Sequence, residues 1–337
     1  MLSVICPIYN EEKYIAQFLD SLLKQDYPKD DLEILLVDGM SKDGTRTIIS
    51  KYAKEYSFFK LVDNPQQTVP YAMNNGIKNA QGEIIIRLDA HAVYPNDYFT
   101  ILVNKLKELD GAENVGGICI TLPCNNSNVA VAIAECLSNK FGMGNSYFRV
   151  GAKDIISVDT VPFGCFWKSL FDKIGLYDTD MVRNQDDELN GRIIKNGGKI
   201  YLLPDVKIKY YAREKISKIR KMFYQYGLYK PLVNKKIGTP ATIRQFFPLI
   251  FVIGLIAGFV LSLFYPALWI IYFGVILLHL LIGFIEGIKS AKKTGKAGCI
   301  YIMPYLFLNI HISYGVGYLN GIYNLAFHRS FEAKSNR

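Results

Sequence analysis

Ile84-Ile85-Ile86-Arg87-Leu88-Asp89-Ala90-His91 is the stretch on which the reading of this chain turns. A short run of β-branched and apolar residues reads as a buried strand, and it breaks off into a carboxylate and an imidazole. Working outward, Tyr71 to Ala80 reads as a helix stopped by Gly82, and Lys60 to Val62 as a strand. Thr45 to Tyr56 is a helix, and Glu33 to Val37 a buried strand ended by Asp38-Gly39. Glu11 to Lys24 places Tyr14, Ile15, Phe18, Leu19, Leu22 and Leu23 at helical spacing, after a first strand from Leu2 to Cys6 closed by Pro7. Strands alternating with helices of this length predict a βαβ arrangement with a mainly parallel sheet. Such sheets bind ligands beyond the carboxyl ends of their strands, here Pro7-Ile8-Tyr9-Asn10, Asp38-Gly39 and Asp89-Ala90-His91. Further on, Leu189 to Lys195 reads as a short helix and Lys199 to Leu203 as a strand, while Gly111 to Val161 has no clear period.

The rest of the chain differs in kind. Of 337 residues, half are hydrophobic and 20% charged, which excludes disorder and collagen. The apolar excess is concentrated, because neither Phe247–Ile285 nor Gly298–Phe327 contains Asp, Glu, Lys or Arg. Two spans of bilayer length follow, about 246–264 and 268–288, with a third apolar segment over 299–327 that either spans or re-enters. The third is interrupted by Asn309, His311, Asn320 and Asn324, and a full span would put Arg329, Lys334 and Arg337 on the far side. The net charge of +9 sits beside these segments. Residues 1–204 hold 21 Lys and Arg against 26 Asp and Glu, residues 205–244 hold 11 against 2, and residues 245–337 hold 7 against 2. Positive charge abutting apolar runs reads as a basic juxtamembrane segment facing anionic lipid headgroups, not nucleic acid. Within it, Lys215 to Tyr229 has the pattern of an amphipathic interfacial helix. Lys289, Lys292, Lys293 and Lys296 place their loop, and residues 1–240, on the cytoplasmic face of the inner membrane. Met1 leads straight into a strand with no basic leader, in keeping with that side. Six cysteines without a CxxC pair or zinc spacing read as small buried hydrophobes in a reducing compartment, which excludes a disulfide-stapled domain.

Three groups carry candidate chemistry. Asp89 and His91, two residues apart on an extended chain, point the same way and could share a divalent cation such as Mn²⁺ or Mg²⁺. Asp38, at a strand end, is placed to hydrogen-bond a base or sugar, with Ser41 or Asp43 capping the helix that follows. Asn184-Gln185-Asp186-Asp187-Glu188 opens a helix with three adjacent carboxylates, a setting for a base able to hold a proton. Neither GxGxxG nor GxxxxGK[ST] occurs, which speaks against a dinucleotide enzyme or a P-loop ATPase.

Taken in order, Val4-Ile5-Cys6-Pro7-Ile8-Tyr9-Asn10-Glu11, the Asp38 segment, Asn75-Gly76, Gly82-Glu83, Asp89-Ala90-His91 and Gln185-Asp186-Asp187-Glu188-Leu189 resemble glycosyltransferase family 2. The nearest likeness is to its membrane-anchored succinoglycan-type exopolysaccharide branch. The likeness covers residues 2–230 by motif and the apolar tail by architecture. It implies a GT-A fold, Rossmann-like, over residues 1–230, followed by C-terminal transmembrane helices over 246–327. It further implies a nucleoside-diphosphate sugar donor, usually UDP-linked, with Mg²⁺ or Mn²⁺. Carried over by position, Pro7, Tyr9 and Glu11 line the nucleotide pocket, Asp38 contacts the base, Asp89 sits near the ribose and metal, and Asp186 is the catalytic base. His91 stands where the family's DxD has its second acid, and Gln185 where its ED motif has Glu. The QxxRW motif of processive synthases is absent, favouring transfer of a single sugar.

The expected reaction is an inverting, metal-dependent transfer to a polyprenyl-linked saccharide in cell-surface or exopolysaccharide synthesis. Two alternatives stay open: a polyprenyl-phosphate glycosyl synthase, and a catalytically inactive nucleotide-sugar-binding subunit of a polysaccharide assembly.

Overall fold

The computed structural model describes residues 1–240 and 242–331 and resolves into two compact units. Lys334 and Arg337, invoked above for the side reached by the third segment, lie outside the described residues. The first unit comprises residues 1–120 and 151–210, and the second residues 121–150 and 211–337.

The first half of the chain runs β1 (Leu2–Ile8), α1 (Glu12–Leu23), β2 (Leu32–Asp38), α2 (Thr45–Glu55), β3 (Phe59–Asp63), α3 (Val69–Asn79), β4 (Ile84–Arg87), β5 (Ala92–Val93), α4 (Tyr98–Glu108) and β6 (Ala112–Leu122). Then come α5 (Asn128–Leu137), α6 (Lys140–Met143), α7 (Tyr147–Val150), β7 (Ile156–Ser157), β8 (Cys165–Trp167), α8 (Lys168–Ile174), α9 (Gln185–Lys195) and β9 (Lys199–Tyr211). Among the described residues the strands form one nine-stranded sheet in the order β3-β2-β1-β4-β8-β6-β9-β5, with β7 also on β9. β1, β2, β3 and β4 pair in parallel, as the alternating pattern predicts, whereas β8 joins β4 and β6 antiparallel and β9 joins β5 and β7 antiparallel. β6 and β9 run the same way, Lys199 bonding to Gly111 at one end and Ala212 to Leu122 at the other. The result is a mixed sheet of GT-A type, whose parallel half carries the strand ends named above.

Local chemistry accounts for the elements. Every residue of β2 is buried, as a central parallel strand requires, and its Ile34, Leu36 and Val37 face the helices on either side. α1 buries Ile15, Phe18, Leu19 and Leu22, the helical stripe read from sequence. β9 runs eight residues beyond the predicted Leu203. Pro204 lacks an N–H but does not end the strand, and Val206 and Ile208 continue the buried alternation while Lys207 and Lys209 face out.

The second unit adds α10 (Ile216–Ile237), α11 (Phe246–Phe264), α12 (Leu268–Thr294) and α13 (Cys299–Ala326) to α5–α7. Three of its helices are long and apolar enough to cross a membrane, close to the three segments expected. α13 is a single continuous helix despite Pro304, so it contains no re-entrant break. α10 is not a free amphipathic helix. Its apolar residues Ile219, Met222, Phe223, Leu228 and Val233 are buried, and its backbone lies directly against α13. Glycines permit that approach, since a Cβ on Gly227 would strike the Tyr314 carbonyl, on Gly317 the Tyr224 carbonyl and on Gly321 the Leu228 carbonyl. α12 meets α13 the same way at Gly283 and Gly287. Five of the six cysteines are buried, with Cys124 the exposed exception, and none of the six forms a disulfide.

Replacing Gly317 by Leu should lower stability by about 1–3 kcal/mol or more, the usual penalty for overfilling a packed interface. Gly254→Leu, on a surface with nothing within 4 Å of a Cβ, should leave it unchanged. Thermal unfolding midpoints in detergent report both.

Candidate active site

The carboxyl ends of β1, β2 and β4 lie side by side in the first unit, and that of β4 meets the start of α9. β1 runs through Pro7 to Ile8, with Pro7 in register with Val37, so the proline lies inside the strand. Next to it, Asn10 and Met40 hold left-handed backbones at φ 53° and 60°. Strain of this kind persists only where the surroundings fix it, and here they do. The Asn10 N–H donates to Ser41 Oγ at 2.8 Å, and the Lys42 N–H donates to Asn10 Oδ1 at 2.9 Å, locking the two turns together. The Tyr9 ring packs on Gly39, where a Cβ would sit 3.1 Å from its Cδ2.

Asp38 lies at the end of β2, but its side chain is wholly buried. Its carboxylate accepts from the Ser41 N–H (2.9 Å), the Ser41 hydroxyl (2.5 Å) and Arg46 (2.8 Å). Arg46 reaches on to Asp63 at 2.7 Å. Asp38 therefore holds its own loop together, and its charged partners at the solvent side are Arg46 and, beyond it, Asp63, at 31% and 60% exposure. Asp43 serves both neighbouring helices, accepting from the Thr45 N–H at 3.1 Å and from the Glu12 N–H at 3.2 Å.

Asp89 leaves β4 with one oxygen capping the His91 N–H at 3.0 Å, and its own N–H donates to the buried Tyr94 hydroxyl at 2.8 Å. The His91 ring is exposed, with Nε2 2.9 Å from Oε1 of the buried Glu11, and it meets the Tyr14 ring edge to face at 5.5 Å between centroids. Among the described residues there is no cluster of three His, Cys, Asp or Glu side chains set for a metal ion. The donor set still suits a hard divalent cation of the kind held by one or two carboxylates, with diphosphate oxygens completing the shell. Asp89 is the carboxylate available for that role, with His91 beside it.

The feature missed in sequence is Arg87. Its side chain is buried on β4 and forms an ion pair with Asp186, the second residue of α9. Burial would push this guanidinium down, but Asp186, Tyr177 and Asp89 override it and hold Arg87 above its ordinary range. Tyr177 is buried beside the pair, and desolvation followed by the Asp186 charge pushes its phenol well up. That segment is clamped to α3, with Asn74 Nδ2 donating to the Tyr177 carbonyl at 2.8 Å and Oδ1 accepting its N–H at 2.9 Å. The three carboxylates opening α9 do not converge as their adjacency in sequence suggests. Asp186 turns to Arg87, whereas Glu188 is buried against Arg192, which also binds the carbonyls of Ile174, Gly175 and Leu176. The signal for Arg87 was present: an arginine inside an apolar strand requires an anionic partner.

Four likenesses bear on this site. The model of the family described as Glycosyl transferase family 2 matches residues 3–160. Over 330 residues the chain is 31% identical to the dolichyl N-acetyl-alpha-D-glucosaminyl phosphate 3-beta-D-2,3-diacetamido-2,3-dideoxy-beta-D-glucuronosyltransferase of Methanococcus voltae, covering 95% of this chain and 97% of that protein. It is 28% identical over 248 residues to the succinoglycan biosynthesis protein ExoA of Rhizobium meliloti, covering 73% and 74%. Among solved structures, the mannosyltransferase PcManGT from Pyrobaculum calidifontis, in complex with GDP-Man and Mn²⁺, shares the fold. Its TM-score is 0.59 at 20% identity, over 93% of this chain and 86% of that one.

Asp38→Ala would leave the Ser41 donors unmet and Arg46 with Asp63 alone, and should destabilise the protein by about 1–3 kcal/mol, the cost of buried hydrogen-bonding groups left without a partner. Asp63→Ala, at the exposed end of the same chain of contacts, should cost less than about 1 kcal/mol. Denaturant unfolding of the two variants separates these magnitudes.

Proposed function

Because the chain belongs to glycosyltransferase family 2, we propose that it moves one sugar from a nucleoside-diphosphate sugar to a lipid-linked saccharide, inverting the anomeric centre. The observation that carries this reading is the convergence at the end of β4. Arg87 and Asp89 are two residues apart on one extended segment, and Arg87 is joined to Asp186. The proposed base and the carboxylate meant for the diphosphate thus share one strand end.

In this reading Asp186 accepts the proton of the acceptor hydroxyl as the new glycosidic bond forms at the anomeric carbon and the bond to the diphosphate breaks. Arg87 fixes the orientation of that carboxylate, and 37% exposure leaves Asp186 open to an incoming hydroxyl. Asp89, with His91 next to it, would hold Mg²⁺ or Mn²⁺, which when bound supplies Lewis-acid neutralisation of the leaving diphosphate. Tyr9 and the exposed Arg46–Asp63 pair would face the nucleotide. With Asp38 sealed, its part in nucleotide binding is to shape this wall.

A lipid-linked acceptor is favoured by two things. The Methanococcus voltae relative acts, by its name, on a dolichyl-phosphate-linked amino sugar. The apolar helices suit an acceptor itself held in the membrane. The lysine-rich loop at 289–296 would place that chemistry on the cytoplasmic face.

The test is nucleoside diphosphate release in lipid nanodiscs, across a panel of nucleotide sugars, with either a polyprenyl-linked saccharide or bare polyprenyl phosphate as acceptor. One donor should turn over with the saccharide acceptor, in Mg²⁺ or Mn²⁺ and not in EDTA. Asp186→Asn should lose at least about 10²-fold in turnover, on the scale of general-base catalysis, while still binding donor. Undiminished turnover in that variant would remove Asp186 from its role, and preference for bare polyprenyl phosphate would reassign the acceptor.

A further inference from the structure

The α11–α12 hairpin supplies a depth scale. Phe251 stacks on His279 with ring centroids 4.9 Å apart, a Cβ on Gly258 would lie 3.2 Å from the Tyr272 ring, and Phe259 meets Trp269 at 5.7 Å. Residues 251 and 279 therefore share one level, 258 and 272 a deeper one, and the turn at Tyr265-Pro266 is the tip. The opposite end is basic, with Lys289, Lys292 and Lys293 at the close of α12 and Lys296 just after it.

Against this scale α13 starts down α12 but does not continue towards the tip. Gly287 packs on Cys299 and Ile300, Gly283 on Pro304, and His279 Nε2 lies 2.9 Å from His311 Nδ1. A helix running antiparallel down α12 would next meet residues nearer the tip. Instead Gly315 packs on Pro248 and Val252 of α11, and the Tyr318 ring lies 5.9 Å from that of Phe246. Residues 248 and 252 are level with 282 and 278, so α13 advances about 21 Å from Pro304 to Tyr318 while staying at nearly constant depth. It passes from one leg of the hairpin to the other. The tip half lies bare, with Leu263 60%, Ile270 80% and Leu277 68% exposed.

We propose that the chain crosses the bilayer twice, through α11 and α12, and that α13 lies in the membrane plane across the basic end of this hairpin, seated at the headgroup boundary of one leaflet. Gly283 is about 9 Å from Lys289 along the helix, a depth at which interfacial helices sit. The chemistry of α13 agrees. It carries Asn309, His311, Asn320 and Asn324, and it exposes Tyr301, Tyr305 and Tyr323, with the Arg329 guanidinium 4.8 Å from the Tyr323 ring. Aromatic rings and arginine stems of this kind favour the interface.

Helix α10 supplies an independent argument. Its residues 224–231 pack on residues 314–321 of α13, so the two helices share one depth. A spanning α13 would draw α10, with Arg220, Lys221 and Lys230, into hydrocarbon, where charges are strongly disfavoured. An in-plane α13 keeps them at the headgroups, and it leaves Arg329 on the same side as the lysine loop.

The experiment uses the full-length protein in sealed vesicles of both orientations, with Cys124→Ser removing the exposed native thiol. Ser330→Cys, Lys292→Cys and Tyr265→Cys are each challenged with a membrane-impermeant maleimide. The proposal expects Ser330→Cys to label in the same vesicles as Lys292→Cys, and Tyr265→Cys in the opposite ones, whichever face proves cytoplasmic. Labelling of Ser330→Cys together with Tyr265→Cys would establish a third span and overturn it. Should Ser330→Cys label in neither orientation, protease protection of a C-terminal tag in the same vesicles decides: cleavage on the Lys292 side supports the proposal, and cleavage on the Tyr265 side overturns it.

Discussion

A guanidinium buried on an apolar strand must find an anion, and much of the first unit is arranged around meeting that need for Arg87. Isolated in a low-dielectric interior, its charge would be untenable, whereas paired with Asp186 it becomes a fixed point. The pair ties the first turn of α9 to the end of β4, across 99 residues of chain. Around it, Asn74 clamps the Tyr177 segment, and Arg192 fastens Glu188 to the carbonyls of residues 174–176. One electrostatic requirement thus positions a carboxylate, half open to solvent, above the strand end that carries Asp89.

The other wall of the site is built by a different device. Left-handed residues at the ends of β1 and β2 turn the chain sharply, and their side chains and backbones bond to one another across the two turns. Asp38 is the internal fastener of this wall. Its burial transfers the outward-facing role to Arg46 and Asp63, which sequence order alone did not single out.

The second unit depends on close backbone approach. Glycines at 227, 317 and 321, and at 283 and 287, let carbonyls and backbones meet directly. The same contacts fix the course of α13 across the hairpin. Its polar residues are met from within the unit, His311 by His279 and Asn320 by the Tyr224 hydroxyl at 2.8 Å.

The elements through Leu88, the three apolar helices and the strand ends that bear Asp38, Asp89 and His91 were legible because periodicity and turn chemistry are local properties of the chain. So was the family, which rests on short motifs in a fixed order. β9 outruns the expected end at Leu203 because the missing donor of Pro204 weakens a strand without always ending it. The partner of Arg87, the sealing of Asp38, the meeting of His91 with Glu11 and the antiparallel pairings of the sheet lie in contacts between residues far apart in sequence. Hydropathy summed along α13 counts the apolar groups of one helix and not which neighbours it meets. The sequence by itself determined which segments form helices and strands and which side chains could do chemistry. Only the tertiary structure decided which charges pair, which carboxylate stays open and where α13 runs, because each of these depends on the free energy of burying a group beside a particular distant partner.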